Sequence, residues 1–297
     1  MSSIIGINGL LPTIKSIKYT KKIAIANKES IICAWDFINK ELKKNNTEFI
    51  PVDSEHFSLW CGLKNIKKNL IDKIFLTASG GPLYKLSLNK FNKISVKKAL
   101  NHPNWKMGNK ISIDSATMIN KVYEVIEAKN IFNISYKKIN IIIHPKSYVH
   151  AIIKFKNGII KIIAHDTTMQ IPIFNTLFYN TDNYINSKKI DIKKLNNLNL
   201  DSVNLKRYPI TKVIKKFNEK NSLFETVLVS TNDTLVELFI QKKIKFNDIH
   251  KYLFKILFNK KFLKYKKIYP KNVKEIIKLN QYVRLKVLEK VYKSKNA

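Results

Sequence analysis

Lys22-Ile23-Ala24-Ile25-Ala26, closed by Asn27-Lys28-Glu29-Ser30, then Ile31 to Leu42, then Phe49-Ile50-Pro51-Val52, spells a strand, a helix and a strand in immediate succession. After Lys22 the first run is continuously apolar and short, as a buried strand is. In the second, Ile31, Ile32, Trp35, Ile38 and Leu42 recur at helical spacing. Strand, helix, strand in this order predicts a βαβ unit on a parallel sheet, and an α/β fold. Upstream, Ile4 to Ile7 is a short apolar run ending in Asn8-Gly9, and Leu10 to Ile17 predicts a short helix. Downstream, Ile74 to Thr77 predicts a third strand that stops at Gly80-Gly81-Pro82, and Ile139 to Ile143 and Ala151 to Phe155 predict two more. Asn157-Gly158 predicts a hairpin into Ile159 to Ala164. Beyond Gly158 the chain is lysine-rich: Asn180 to Asp201 is polar, a linker or excursion, and Tyr208 to Val291 predicts amphipathic helices.

Composition narrows the function classes. A chain of 297 residues can hold two domains. No uncharged apolar run is long enough to span a bilayer, and the first residues lack the basic and apolar regions of a signal peptide. Cys33 and Cys61 form neither a disulfide framework nor a CxxC pair, so buried small hydrophobes in a reducing compartment are expected. The net charge of +34 would suit a polyanion-binding protein. Only Arg207 and Arg284 carry guanidinium groups, however, and the lysines are spread along the chain among Ile and Asn, which share their A/T-rich codons. Readers of bases and phosphates favour the bidentate arginine fork. The charge therefore reads as drift in an A/T-rich genome, with specific nucleic-acid recognition excluded and polyanion binding kept as an alternative.

Four segments carry chemistry. Asp53-Ser54-Glu55 follows a predicted strand, and in an extended segment residues two apart face the same way. Two carboxylates aimed at one point, with Glu124 as a third, suit a hard divalent cation such as Mg²⁺ or Mn²⁺. Taken alone, Asp-Ser-Glu is more often a solvated strand end. Thr77-Ala78-Ser79-Gly80-Gly81 supplies a hydroxyl and backbone N–H groups that suit an anion. Ser115 and Thr117 read as the start of the helix that carries Asn120, Lys121 and Glu124, where a free N-terminus attracts phosphate. An ordinary N-cap is the plainer reading of Asp114-Ser115. His102-Pro103-Asn104-Trp105-Lys106-Met107-Gly108 cannot form a regular helix, yet exposes apolar residues, and so reads as a lid. His144 and His150 read as structural.

LTASGGPL, HPNWKMGNKISIDSATMINKVYE, ANKES with PVDSEH, and IIIHPKSYVHAII together resemble the 1-deoxy-D-xylulose 5-phosphate reductoisomerase family, as do STNDTLVELFI and Arg207-Tyr208-Pro209. The resemblance implies metal-assisted rearrangement of a phosphosugar followed by reduction with NADPH, with Mg²⁺ or Mn²⁺ as the metal and Co²⁺ a further candidate. It implies Asp53, Glu55 and Glu124 as metal ligands, and Lys28, Glu55, His102 and Lys121 as catalytic residues. Lys28, Ser54, Glu55, Ser79, His102, Ser115, Asn120, Lys121 and Glu124 would hold substrate. Asn27, Glu29, Met107 and Gly108 would touch NADPH, with Trp105 and Met107 in the mobile lid. It also implies a cytoplasmic bacterial homodimer with no membrane partner.

The implied fold is the tail of a Rossmann-like domain (1–53), a central α/β catalytic domain with a mixed sheet (54–180), a linker (181–206) and an α-helical C-terminal domain (207–297). The chain departs from the family in lacking its GxTGxxG-type pyrophosphate loop; Ile4 to Thr13 resemble the last part of that half. The expectation is therefore a truncated or eroded form that binds substrate analogue and metal but oxidises NADPH slowly. A remnant that only dimerises is the further alternative.

Overall fold

The computed structural model describes residues 1–293. Residues 294–297, the end of the expected helical region, lie outside the described residues. After an irregular start come α1 (Leu10–Ile17), β1 (Lys22–Ile25), α2 (Lys28–Lys44) and β2 (Glu48–Pro51). Strands β1 and β2 pair in parallel, with Lys22 opposite Glu48 and Ile25 opposite Pro51, so the βαβ reading holds. Helix α2 starts earlier than its apolar spacing suggests, because Asn27 caps it: its Oδ1 accepts from the Ser30 N–H at 2.7 Å.

Next come α3 (Ser54–Leu63), β3 (Ile71–Ala78), α4 (Val96–Leu100), α5 (Asn109–Thr117), α6 (Ile119–Phe132), β4 (Ile139–Ile143), β5 (Val149–Phe155) and β6 (Ile160–Ala164). Strand β3 does not extend the β1–β2 sheet. It lies at the centre of a five-stranded mixed sheet, order β6-β5-β3-β4-β7, where β7 is Asp201–Ser202. It runs parallel to β4 and antiparallel to β5, and the Asn157-Gly158 turn makes β5 and β6 the expected hairpin.

The remaining elements are α7 (Gln170–Leu177), α8 (Ile192–Asn196), α9 (Leu223–Ile240), α10 (Phe246–Leu257), α11 (Lys260–Leu263) and α12 (Val273–Lys293). The polar stretch before Asp201 holds little regular structure apart from α8. Helix α9 opens with a capping box, Ser222 and Glu225 exchanging bonds.

Helix α6 decides where the site sits. Val122, Tyr123 and Ile126 join the core built by α2, α9, α10 and α12, whereas Val125, Ala128 and Phe132 join a second core against the mixed sheet and α3. Apolar residues cover the helix on two sides, so Lys121, Glu124 and Glu127 are buried with it. Burying such charges is tolerable only where they pair.

Candidate active site

Asp53 is not in an extended segment, as its position after a strand suggested. It is the N-cap of α3, its Oδ1 accepting the Glu55 N–H at 3.2 Å, and Glu55 stands in the first helical turn. The two carboxylates converge through the cap, not through strand alternation. Glu124 approaches from α6, and carboxylate oxygens of Asp53, Glu55 and Glu124 all lie within 4.8 Å of one another. Lys121 Nζ is 2.8 Å from Glu55 and also pairs with Glu124. Lys28 Nζ lies 3.3 Å from Asp53 and donates to Asn120 Oδ1 at 2.7 Å, while Asn120 Nδ2 donates to Glu124. Ser54 Oγ donates to Glu55 Oε2 at 2.6 Å.

His56 and Glu127 support this group from behind. His56 Nε2 donates to the Glu124 carbonyl at 2.9 Å and Nδ1 lies 3.2 Å from Asp53. Burial opposes the imidazolium, but Glu127 and Asp53 outweigh it and raise the His56 pKa to about 9. Burial pushes the Glu127 carboxyl up to about 7 against the pull of His56 and Lys28. Burial, then the neighbouring Glu55 charge, pushes Glu124 up to about 8. Burial opposes the Asp53 charge, yet Lys28 and His56 overcome it and hold Asp53 well below the usual carboxylate range. Oxygen donors thus crowd beside a Glu124 that resists ionising, an arrangement that suits a hard divalent cation.

The other end of the cavity is built by the turn after β3. Gly80 and Gly81 have φ of 82° and 68°, and a Cβ on Gly81 would meet the Ser115 carbonyl at 2.7 Å, so both must be glycine. Tyr208 Oη donates to the Gly80 carbonyl at 2.7 Å and Arg207 Nη1 to the Leu83 carbonyl at 2.8 Å, fixing the turn from the far side. His102 Nδ1 accepts the N–H groups of Asn104 and Trp105 at 3.2 and 3.1 Å. Its proton is therefore on Nε2, which donates to Ser79 Oγ at 3.1 Å. Ser79 Oγ also accepts the Gly81 N–H at 3.0 Å, which leaves its own proton free for a ligand.

These residues enclose a cavity of about 280 Å³ lined by Lys28, Asp53, Ser54, Glu55, Ser79, His102, Trp105, Met107, Ser115, Asn120, Lys121 and Glu124 among others. Fully ionised, the three carboxylates would exceed the buried ammoniums of Lys28 and Lys121 by one negative charge, which holding Glu124 protonated relieves. A divalent ion reverses the balance and makes the pocket attractive to a phosphate ester.

Two expectations need correction. Ser115 and Thr117 do not start the helix of Asn120: they end α5, and Met118, at φ 71°, separates them from α6. Ser115 is thus no N-cap; it reaches the cavity from a helix C-terminus. His150, read as structural, lines the cavity with the Trp105 ring set edge-on at 6.2 Å and the His165 ring stacked at 3.7 Å. Ser147 and Met169 also line it, with no spacing signal in the sequence to mark them. His144 is buried and lies outside the cavity lining.

Of the four residues expected at a nicotinamide cofactor, Met107 lines the cavity and, with Gly108, borders a second, more open recess beside it. Asn27 and Glu29 do not line it: Asn27 Nδ2 donates to the Ile4 and Gly6 carbonyls, and Glu29 pairs with Lys110 at 2.9 Å.

Burial draws the His102 pKa from 6.5 down to about 4, so the neutral ring fits the folded state. A depressed histidine contributes stability above the unfolded value, and loses it as pH falls from 6.5 toward about 4. His102→Gln is therefore expected to reduce the drop in urea midpoint between about pH 7 and about pH 5 relative to the parent chain. An unchanged drop would show that His102 is not held neutral by the fold.

Carboxylates that converge beneath a loop, two buried lysines and a glycine turn on an α/β scaffold define a metal-assisted enzyme for a small anionic substrate. Comparison with known proteins gives the particular family. Profiles described as the 1-deoxy-D-xylulose 5-phosphate reductoisomerase C-terminal domain, the DXP reductoisomerase C-terminal domain and 1-deoxy-D-xylulose 5-phosphate reductoisomerase match residues 49–132, 166–286 and 1–35. The 1-deoxy-D-xylulose 5-phosphate reductoisomerase of Pelagibacter ubique is 58% identical over 287 residues, which cover 97% of this chain and 74% of that one. That of Francisella tularensis is 38% identical over 96% of this chain and 73% of its own. A DOX-P reductoisomerase crystallised with NADPH, fosmidomycin and magnesium superposes with a TM-score of 0.90 at 31% identity, covering 99% of this chain and 76% of that one. The Zymomonas mobilis enzyme with NADPH gives 0.85 at 29% identity, over 98% of this chain and 74% of that one. The chain belongs to the 1-deoxy-D-xylulose 5-phosphate reductoisomerase family. It spans about three quarters of the length of these relatives.

Proposed function

We propose that the chain performs the metal-dependent, NADPH-linked conversion of 1-deoxy-D-xylulose 5-phosphate to 2-C-methyl-D-erythritol 4-phosphate. The observation that carries this reading is the convergence of Asp53, Glu55 and Glu124 within 4.8 Å beside Lys121 and Lys28. Asp53, Glu55 and Glu124 would hold Mg²⁺ or Mn²⁺, whose Lewis acidity polarises a hydroxyketone and stabilises developing negative charge. NADPH supplies a hydride, and of this chain's residues Met107 and Gly108 would border it.

The protein's own side chains do the remaining work. Ser79, oriented by the His102 Nε2–H, donates its free proton to a substrate oxygen at the glycine-turn end, where Ser115 also lies. Lys121 and Lys28 bring positive charge to the reacting oxygens, and Asn120 keeps Lys28 and Glu124 in register. Ser54 fixes one Glu55 oxygen and leaves the other toward Lys121. Trp105 and Met107 exclude water when the loop closes, which strengthens each of these electrostatic contacts.

The division at 53/54, 180/181 and 206/207 is part of the same reading, as are a homodimer, manganese as the ion used, and a cytoplasmic site of action. Among the described residues no helix is long and apolar enough to cross a membrane. The test follows NADPH absorbance with 1-deoxy-D-xylulose 5-phosphate and Mn²⁺, together with calorimetric titration of fosmidomycin. The expected result is fosmidomycin binding that requires Mn²⁺ and disappears with chelator. Equal binding with and without the metal would overturn the reading.

A further inference from the structure

Lys110 is the second residue of α5, two positions beyond the end of the His102–Gly108 loop. Its ammonium lies 2.8 Å from Asp114 on its own helix, 2.9 Å from Glu29 in the first turn of α2, and 3.1 Å from Asp233 on α9. Asn232, beside Asp233, donates to Asp114 at 2.8 Å. The Tyr123 ring of α6 lies beneath the ammonium at 5.5 Å. Glu29, Asp114 and Asp233 are 6%, 2% and 13% exposed at their side chains, while Lys110, 23% exposed, borders with Asp233 a separate recess on that side. Buried ion clusters are poor sources of stability, since apolar residues of the same shape often serve as well. What such a cluster does supply is direction: one ammonium fits three carboxylates from three elements in one arrangement. None of the four groups lines the cavity described above.

We propose that Lys110 and Asp233 are positioning residues for the phosphosugar site, pinning the start of α5 to the helical C-terminal part. They thereby fix the far end about which Trp105-Lys106-Met107-Gly108 closes. The near end is fixed separately: Asn104 Nδ2 donates to the Pro145 carbonyl at 2.6 Å and to Ser147 Oγ at 3.0 Å. Between the two anchors there is room to move, since a Cβ on Gly108 would meet nothing within 4 Å. The proposal rests on reading the cavity as the phosphosugar site.

The experiment uses the full chain with Mn²⁺ and fosmidomycin, and two readouts. Trypsin cleavage after Lys106, exposed in the loop, is compared by mass spectrometry with cleavage after Lys189, exposed in the remote polar segment. Fosmidomycin and Mn²⁺ affinities are measured calorimetrically. Asp233→Asn, and independently Lys110→Met, are expected to raise the Lys106-to-Lys189 cleavage ratio and to weaken fosmidomycin binding about tenfold. Mn²⁺ affinity should stay unchanged, and Lys110→Arg should restore both readouts. An unchanged ratio, a parallel rise at both sites, or joint loss of Mn²⁺ binding would overturn the positioning role. If the parent chain itself fails to bind fosmidomycin, the reading of the cavity falls, while the cleavage ratio still decides whether the anchor holds the loop.

Discussion

Glu124→Gln is expected to weaken Mn²⁺ binding, measured calorimetrically, by at least about a hundredfold. That is the upper end of what losing a residue that merely supports a metal ligand does. The three carboxylates lie within 4.8 Å of one another, so removing one charge takes away a third of the donor set. The same geometry predicts the effect on the metal-free protein. Burial and the Glu55 charge already push Glu124 up to about 8 without metal, so near neutral pH the amide replaces a largely protonated carboxyl, and Lys121 keeps its 2.8 Å contact with Glu55. The thermal midpoint without metal should therefore hold or rise. With Mn²⁺ at a hundred times the parent's dissociation constant, the parent chain should gain about 2.7 kcal/mol by mass action, and the variant at most about 0.4 kcal/mol. A variant that keeps the metal-induced shift would remove Glu124 from the ligand set and leave the site without its third donor.

Much of this site was legible as a set of residues, and less of it as geometry. Asp53 and Glu55 do converge with Glu124, but not by the strand alternation that their spacing suggests. A cap and the first turn of α3 bring their carboxylates together. The end of α5 was invisible because HPNWKMGNKISIDSATMINKVYE reads as one helix start. A left-handed Met118 breaks it, and methionine carries no turn signal of the kind glycine or asparagine gives. Sheet membership was equally hidden: β3 looks like the next strand of a βαβ series, yet its partners are β4 and β5, set by contacts distant in sequence. His150 and Tyr208 show the same limit. Both fall in segments that carry the family resemblance, yet only the fold brings one to the Trp105 ring and the other to the Gly80 carbonyl. Local pattern fixes elements and caps; convergence from separate elements depends on packing that no local window contains.

The largest stability loss is expected at Lys28. Its ammonium lies 3.3 Å from Asp53 and 3.9 Å from Glu127, and only 9% of the residue is exposed. Burial works against its charge, yet Asp53, Glu127 and Glu124 together hold it above the ordinary lysine range. Lys28→Met keeps much of the apolar stem and removes the charge. It leaves Glu127, 2% exposed and with one carboxylate oxygen lacking any hydrogen-bond partner, beside His56 alone. Breaking a buried pair from one side costs about 3–5 kcal/mol, which urea denaturation near neutral pH resolves readily. The double variant Lys28→Met with Glu127→Gln removes the stranded charge too, and should recover about 0.5–3 kcal/mol of that loss as a coupling energy. Fosmidomycin affinity should behave otherwise, staying low in both variants because the cavity has lost the ammonium that faces Asp53 and Asn120. Recovery of stability without recovery of binding separates the two roles of one lysine. A double variant no more stable than the single one would show that Lys28 acts through the packing of its stem, and would leave Glu127 without an electrostatic part in the site.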